Sequence, residues 1–125
     1  MLKSIILIGL GGGAGSILRF LVSYFTKKQW SGEFPLGTFL INLSGSLLIG
    51  LLIGYLLKLQ SDWTDFRMLL VVGFCGGFTT FSTFALESFE LINSGKITIS
   101  LVYALSSLIL GVILVWLGIL FAKLI

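Results

Sequence analysis

The sequence predicts an all-α membrane protein with four transmembrane helices, the third broken near its middle. Three observations carry that expectation. Of 125 residues, 57% are hydrophobic and only 10% charged, against roughly 25% charged in a soluble domain, and the mean hydropathy is +1.13. The apolar residues fall into four stretches, each near or above the roughly 20 residues that cross a bilayer as helix. Residues 73–84, Gly-Phe-Cys-Gly-Gly-Phe-Thr-Thr-Phe-Ser-Thr-Phe, interrupt the third stretch with glycines and hydroxyls. In lipid every backbone N–H and C=O needs a partner, so an irregular segment survives only where protein or a cavity covers it.

The first span is placed at about residues 2–24. The apolar run behind residues 1–3 exceeds the hydrophobic region of a secretory leader, so it is read as a span. It holds Gly9, Gly11, Gly12, Gly13 and Gly15, and the pairs Gly9/Gly13 and Gly11/Gly15 have the spacing that lets helices approach closely. The run from Gly11 to Ser16 is not a phosphate loop, because no strand precedes it and no Gly-Lys-Ser/Thr follows. Arg19 is costly in lipid unless it reaches the interface or faces water. It is read either as a snorkelling residue or as the border of an aqueous, anion-attracting vestibule. Pro35 suits the first turn of the next helix, where its missing N–H costs nothing.

In the second span, 36–57, Asn42, Ser46, Gly50 and Gly54 recur at intervals of four and share one side. The small residues suggest a packing seam; Asn42 either bonds a neighbouring helix or donates N–H to a passing anion. Ser61-Asp62-Trp63-Thr64-Asp65 supplies cap residues for the third span, 66–92. There Gly76-Gly77 weakens the helix, and a new helical half is expected to begin over Thr79–Thr83. Carbonyls freed at the break could hold a cation. Phe81, Phe84 and Ser88 share one face of that half, with Thr80, Thr83 and Glu87 on the adjacent one. Aromatic rings have a positive edge that can meet an anion; plain packing is the competing reading. Glu87 is an intramembrane carboxylate, and Glu90 marks the interface. Asn93-Ser94-Gly95 is a helix stop. In the fourth span, 97–122, Ser100, Tyr103, Ser107 and Gly111 align as a polar track, unless the hydroxyls bond back to their own helix. No connection is long enough for a second domain, so residues 1–125 form one membrane domain.

Charge and rare residues narrow the function. A net charge of +3 with basic residues near helix ends is ordinary membrane flanking and predicts no nucleic-acid partner. The single Cys75 excludes an internal disulfide. The absence of His removes the usual proton shuttle and the commonest metal ligand, and an enzyme is not expected. Four spans put Lys3, Lys58, Arg67 and Lys123 on one side, and Lys27, Lys28 and Lys96 on the other. Orientation follows the Lys/Arg excess in short loops; four against three hardly chooses. A chain that inserts both ways can pair antiparallel about an axis in the membrane plane. A single orientation set by the small bias is the alternative.

Three segments together resemble one family: Gly11-Gly12-Gly13-Ala14-Gly15-Ser16 through Arg19-Phe20, Pro35-Leu36-Gly37-Thr38 through Asn42, and residues 73–84. They are similar to the bacterial fluoride channels of the Fluc (CrcB) type, in the right order and over the whole four-span plan. The resemblance implies an antiparallel, dual-topology homodimer in the bacterial inner membrane, with two pores that let fluoride leave the cytoplasm passively. It also implies a structural, non-transported sodium ion at the dimer centre, held by the backbone carbonyls of Gly76 and Thr79. The implied pore residues are Asn42, Phe81, Phe84, Thr83, Tyr103, Ser107 and Glu87, with Arg19 at the vestibule. Phe20 departs from the Tyr or Trp common in the family. A small dual-topology multidrug or cation exporter is the alternative, but it needs an acidic residue in its first span, and this chain has none there. A scaffold subunit would account for the glycines but not for the ordered polar faces.

Overall fold

The computed structural model describes residues 1–59 and 63–125. They form helices α1 (Leu2–Gln29), α2 (Leu36–Leu59), α3 (64–78), α4 (Phe81–Asn93) and α5 (Ile97–Leu124). Helices α3 and α4 are the two halves of one span, so four membrane-crossing units result. The helices overrun the expected span ends because their flanks remain good helix. Lys27 and Lys28 occupy the last turn of α1, and Lys123 that of α5, where cations meet the negative end of the helix dipole.

The termini follow local chemistry. The Pro35 carbonyl accepts the Phe39 N–H at 3.1 Å and starts α2. The third span begins at Thr64, two residues before its expected start, and Ser61 and Asp62 of the expected cap lie outside the described residues. The Trp63 carbonyl receives the Arg67 N–H at 2.9 Å, and Asp65 is paired with Lys3, which ties the start of α3 to the start of α1. At the end of α4, Gly95 adopts φ +76°, a conformation cheap only for glycine. The Gly95 and Lys96 N–H groups then return to Ile92 and Leu91, as the Asn-Ser-Gly stop predicts.

Within α3, residues Arg67–Cys75 wind as a π-helix. Nothing in the residue pattern announces it, because the wider turn uses the same apolar residues as an α-helix. Such stretches are rare and frequently occur at functional sites.

Two close helix pairs build the bundle, α1 with α3 and α2 with α5. At the first, a Cβ on Gly11 or Gly15 would strike the backbone of Leu69 or Phe74, and one on Gly77 would strike Gly12. At the second, Gly50 and Gly54 meet Val115 and Ile119, while Gly118 meets Leu47 and Gly50. Lipid offers no hydrophobic drive between helices, so this backbone-to-backbone packing replaces it. The Gly11/Gly15 pair and the α2 seam are therefore where the spacing puts them. Gly9 and Gly13 are not in such a contact: an added Cβ there meets nothing within 4 Å, because their face of α1 points away from α3.

The outer surface is apolar, with Leu10, Ile17, Leu105, Leu108 and Trp116 among many exposed hydrophobic residues. That is the surface a bilayer requires. We expect Gly15→Ala to lower thermal stability in detergent by about 1–3 kcal/mol, the usual cost of overpacking. Gly9→Ala, a stripping of glycine from open helix, should leave the melting curve unchanged or slightly raised. Equal behaviour of the two variants would contradict this packing.

Candidate functional site

The break in the third span falls at Thr79-Thr80, not at the glycines. Gly76 is helical (φ −63°, ψ −38°), and Gly77 is there to pack on Gly12. Thr79 (ψ 160°) and Thr80 (φ −150°, ψ 124°) are extended, and the new helix begins at Phe81 rather than at Thr79. The hydroxyls explain the displacement. Thr80 is a Thr N-cap, its Oγ1 accepting the Thr83 N–H at 3.3 Å. Thr79 Oγ1 donates to the Cys75 carbonyl at 2.8 Å and closes the end of α3.

Asn42 holds the break open. Its Nδ2 donates to the Thr80 carbonyl at 3.0 Å, and its Oδ1 accepts the Thr80 N–H at 2.9 Å. One side-chain amide thus satisfies both backbone groups of an extended residue at membrane depth. The same bonds have a cost at other atoms. In a continuous helix the Gly76 carbonyl would receive the Thr80 N–H and the Thr79 carbonyl the Thr83 N–H. Both donors are engaged elsewhere, by Asn42 and by Thr80 Oγ1. Gly76 and Thr79 therefore present carbonyl oxygens without their helical donors, and Gly76 is exposed.

Around the break lies a cavity of about 570 Å³ whose lining includes Asn42, Thr79, Thr80, Phe81, Phe84 and Ser107. The Phe81 and Phe84 rings stand 5.9 Å apart, and Phe81 is 79% exposed in the single chain. Ser107 Oγ is buried with no hydrogen-bond partner, as is Ser88 Oγ. Ser46, lower on the same wall, bonds back to the Asn42 carbonyl at 2.8 Å.

A second cluster surrounds Glu87. Thr38 Oγ1 donates to Glu87 Oε1 at 2.8 Å, and the Tyr103 hydroxyl donates to Glu87 Oε2 at 2.8 Å. Tyr103 is fully buried and its ring lies 4.9 Å from that of Phe84, so the cluster abuts the aromatic pair. Glu87, Thr83 and Thr38 line a cleft of about 350 Å³ that also includes Lys27 and Lys96. Arg19 lines a third cleft, about 270 Å³, with Ser16, Ser23, Thr38, Thr80 and Thr83. Thr80, part of the break itself, thus lines this cleft as well as the cavity.

The structure brings together Asn42, Gly76, Thr79, Phe81, Phe84 and Ser107 at one cavity, and Glu87 and Tyr103 at the adjoining cluster, with Thr83 on the cleft beside Glu87. Arg19 is set apart on its own cleft, which shares Thr38 and Thr83 with the Glu87 cleft and Thr80 with the cavity. Two participants are absent from the sequence-based site. Thr38 lies one helical turn before Asn42 on the same face, a spacing that could have revealed it. The helical spacing puts Thr80 on the polar face with Thr83 and Glu87, but its backbone role has no signature in the side chain.

Asn42→Ala leaves the Thr80 N–H and C=O unpaired in a water-poor setting, at about 1–3 kcal/mol for each group. We expect a lowered melting temperature and faster hydrogen exchange at the Thr80 amide; Asn42→Asp, which keeps only the acceptor, should fall between. A wild-type exchange rate in Asn42→Ala would contradict the clamp.

Comparison with known proteins bears on this arrangement. The family model described as "CrcB-like protein, Camphor Resistance (CrcB)" matches residues 6–119. The chain is 45% identical over 120 residues to a protein of Azobacteroides pseudotrichonymphae, covering 94% of each chain. It is 42% identical over 122 residues to one of Flavobacterium psychrophilum, covering 98% of each. It is 43% identical over 118 residues to one of Phocaeicola vulgatus, covering 94% of this chain and 97% of that one. All three are named "Fluoride-specific ion channel FluC". With its four membrane-crossing units and broken third span, the chain is a multi-pass membrane protein that belongs to the CrcB family.

Proposed function

We propose that this protein is a fluoride-selective channel through which fluoride leaves the bacterial cytoplasm passively across the inner membrane. The observation that carries the reading is the third-span break, which opens a cavity bearing Phe81, Phe84, the Asn42 amide and the unpartnered Ser107 hydroxyl. The near-full-length similarity to fluoride channels supports the choice of ion.

The lining suits a small anion in transit. Amide N–H, hydroxyls and aromatic edges are donors of modest strength, whereas a pore lysine would bind too tightly for rapid release. Fluoride sheds hydration that these donors replace in sequence, from Arg19 and the threonines past the aromatic pair to Ser107 and the Glu87 cluster. Thr83, Tyr103 and Glu87 extend that polar route, with the carboxylate oxygens fixing the Thr38 and Tyr103 hydroxyls rather than contacting the anion.

The functional unit in this reading is an antiparallel homodimer with two pores. The nearly balanced loop charge supports insertion in both orientations. The exposure of Phe81 and Gly76 supports a covering copy, because donorless carbonyls facing lipid would each cost several kcal/mol. The residues at the break also fit a structural sodium ion: hard cations take oxygen ligands, and unwound backbone carbonyls are a known way to hold sodium at membrane depth. The Gly76 and Thr79 carbonyls of each copy would hold it, and when bound it supplies a fixed positive charge near the two pores.

In bacteria stripped of their own fluoride export, expression of this chain should restore growth on millimolar fluoride. Phe81→Ile and Phe84→Ile should each abolish most of that rescue while reaching the membrane at normal levels. No rescue by inserted wild-type protein would sink the channel reading; full rescue by both variants would remove the aromatic-edge role alone. With Cys75 replaced by Ala and a cysteine added at the C-terminus, an impermeant reagent outside the cell should label about half of the molecules, as equal insertion in both directions requires. Complete or absent labelling would rule out dual topology.

A further inference from the structure

We propose that Phe34, in the linker between α1 and α2, is a positioning residue for the pore: its ring sets the orientation of Tyr103 and thereby the Tyr103–Glu87–Thr38 cluster. The proposal rests on the channel reading above for its functional consequence, and on geometry for its mechanism.

Tyr103 is 0% exposed and its hydroxyl is committed to Glu87 Oε2. A buried tyrosine has few torsions left, and its ring plane is set by the rings that touch it. Three do. Phe84 lies at 4.9 Å and Phe39 at 6.4 Å, both on helices. The third is Phe34, edge-on at 5.4 Å with an interplanar angle of 77°, and it also stands edge-on to Phe39 at 5.1 Å. Phe34 thus wedges between α2 and α5 from a segment that is not itself helical.

The linker is pinned in that place from three directions. Trp30 Nε1 donates to the Phe34 carbonyl at 2.9 Å, and the Leu36 N–H donates to it at 2.7 Å. Glu33 pairs with Lys96 at 2.7 Å, at the start of α5. Both charged side chains are more than a third exposed, so the pair contributes little by itself; the ring is the principal anchor. Phe34 also lines two clefts at once, the one that leads to Glu87 and an outer groove of about 340 Å³ bordered by Thr98, Ile99 and Val102. Trp30 and Glu33 line both as well, so the linker forms the partition, and the Phe34 ring is the part of it that meets Tyr103. Removing the ring opens this partition beside Tyr103 and frees the hydroxyl that fixes Glu87.

The test is a double-mutant cycle on reconstituted protein, read by fluoride efflux from liposomes and by fluorine NMR. Phe34→Ala should slow efflux about fivefold or more, Phe34→Tyr should stay within about twofold of wild type, and Phe34→Ala added to Tyr103→Phe should cost less than about twofold further. Glu33→Gln should change efflux by less than about twofold, as an exposed pair of low worth predicts. For NMR, Tyr24→Phe and Tyr55→Phe leave Tyr103 as the single tyrosine, labelled as fluorotyrosine. Its line should shift and broaden when Phe34 becomes Ala, or Leu where the Ala variant does not fold. An unmoved line overturns the proposal whether or not the chain conducts, and separates its failure from that of the channel reading. Equal losses from Phe34→Ala with and without the Tyr103 hydroxyl would also overturn it, by showing a structural role independent of Tyr103.

Discussion

The two hydrogen bonds between the Asn42 amide and the backbone of Thr80 are the constraint on which the rest of the site depends. An extended residue at membrane depth normally leaves two polar groups facing hydrocarbon, a cost of several kcal/mol that helices and closed barrels exist to avoid. Asn is suited to the position because its side chain carries a carbonyl and an N–H in the same plane as a peptide group. It stands in for a missing strand or helix neighbour. With the clamp in place the third span can stop at Phe78, cross two residues extended, and restart at Phe81 with a Thr N-cap.

Everything chemically unusual follows from that restart. Helix α4 is free to present Phe81 and Phe84 on one side and Thr83 and Glu87 on the other, because it need not continue the face of α3. The glycine contacts of α1 hold α3 close, and the α2 seam holds α5 close. Helix α4 packs on the second of these pairs, and Glu87 finds Thr38 from α2 and Tyr103 from α5. A carboxylate within a span thereby gains two donors instead of facing lipid. There the buried Tyr103 also meets the rings of Phe34, Phe39 and Phe84.

Much of this was legible in the residues. Four spans, the Pro35 start and the Asn-Ser-Gly stop needed only hydropathy and turn chemistry. Of the Asn42, Ser46, Gly50, Gly54 register, the first two line the cavity and the glycines pack on α5. Of Ser100, Tyr103 and Ser107, only Ser107 lines the cavity; Tyr103 joins Glu87 and Ser100 donates to the Ser88 carbonyl. The break was legible as an event but not in its position, because Gly76-Gly77 reads as a helix weakness while in the fold it is a close approach to α1. Propensity was overridden by packing. Gly9 and Gly13 show the same limit from the other side: spacing reports that two glycines share a face, not which neighbour that face meets. The π-helical turn and the partnering of Glu87 by Thr38 depend on tertiary contacts between segments far apart in sequence.

In the proposed function the cavity at the break is a route for fluoride, which many weak donors meet in turn. The most direct test is efflux from proteoliposomes loaded with potassium fluoride or potassium chloride, each followed with an ion-specific electrode. The account predicts rapid fluoride loss only when a potassium ionophore shunts the charge, with chloride retained in matched vesicles. Fluoride retention by folded, inserted protein, or equal loss of both anions, would contradict it.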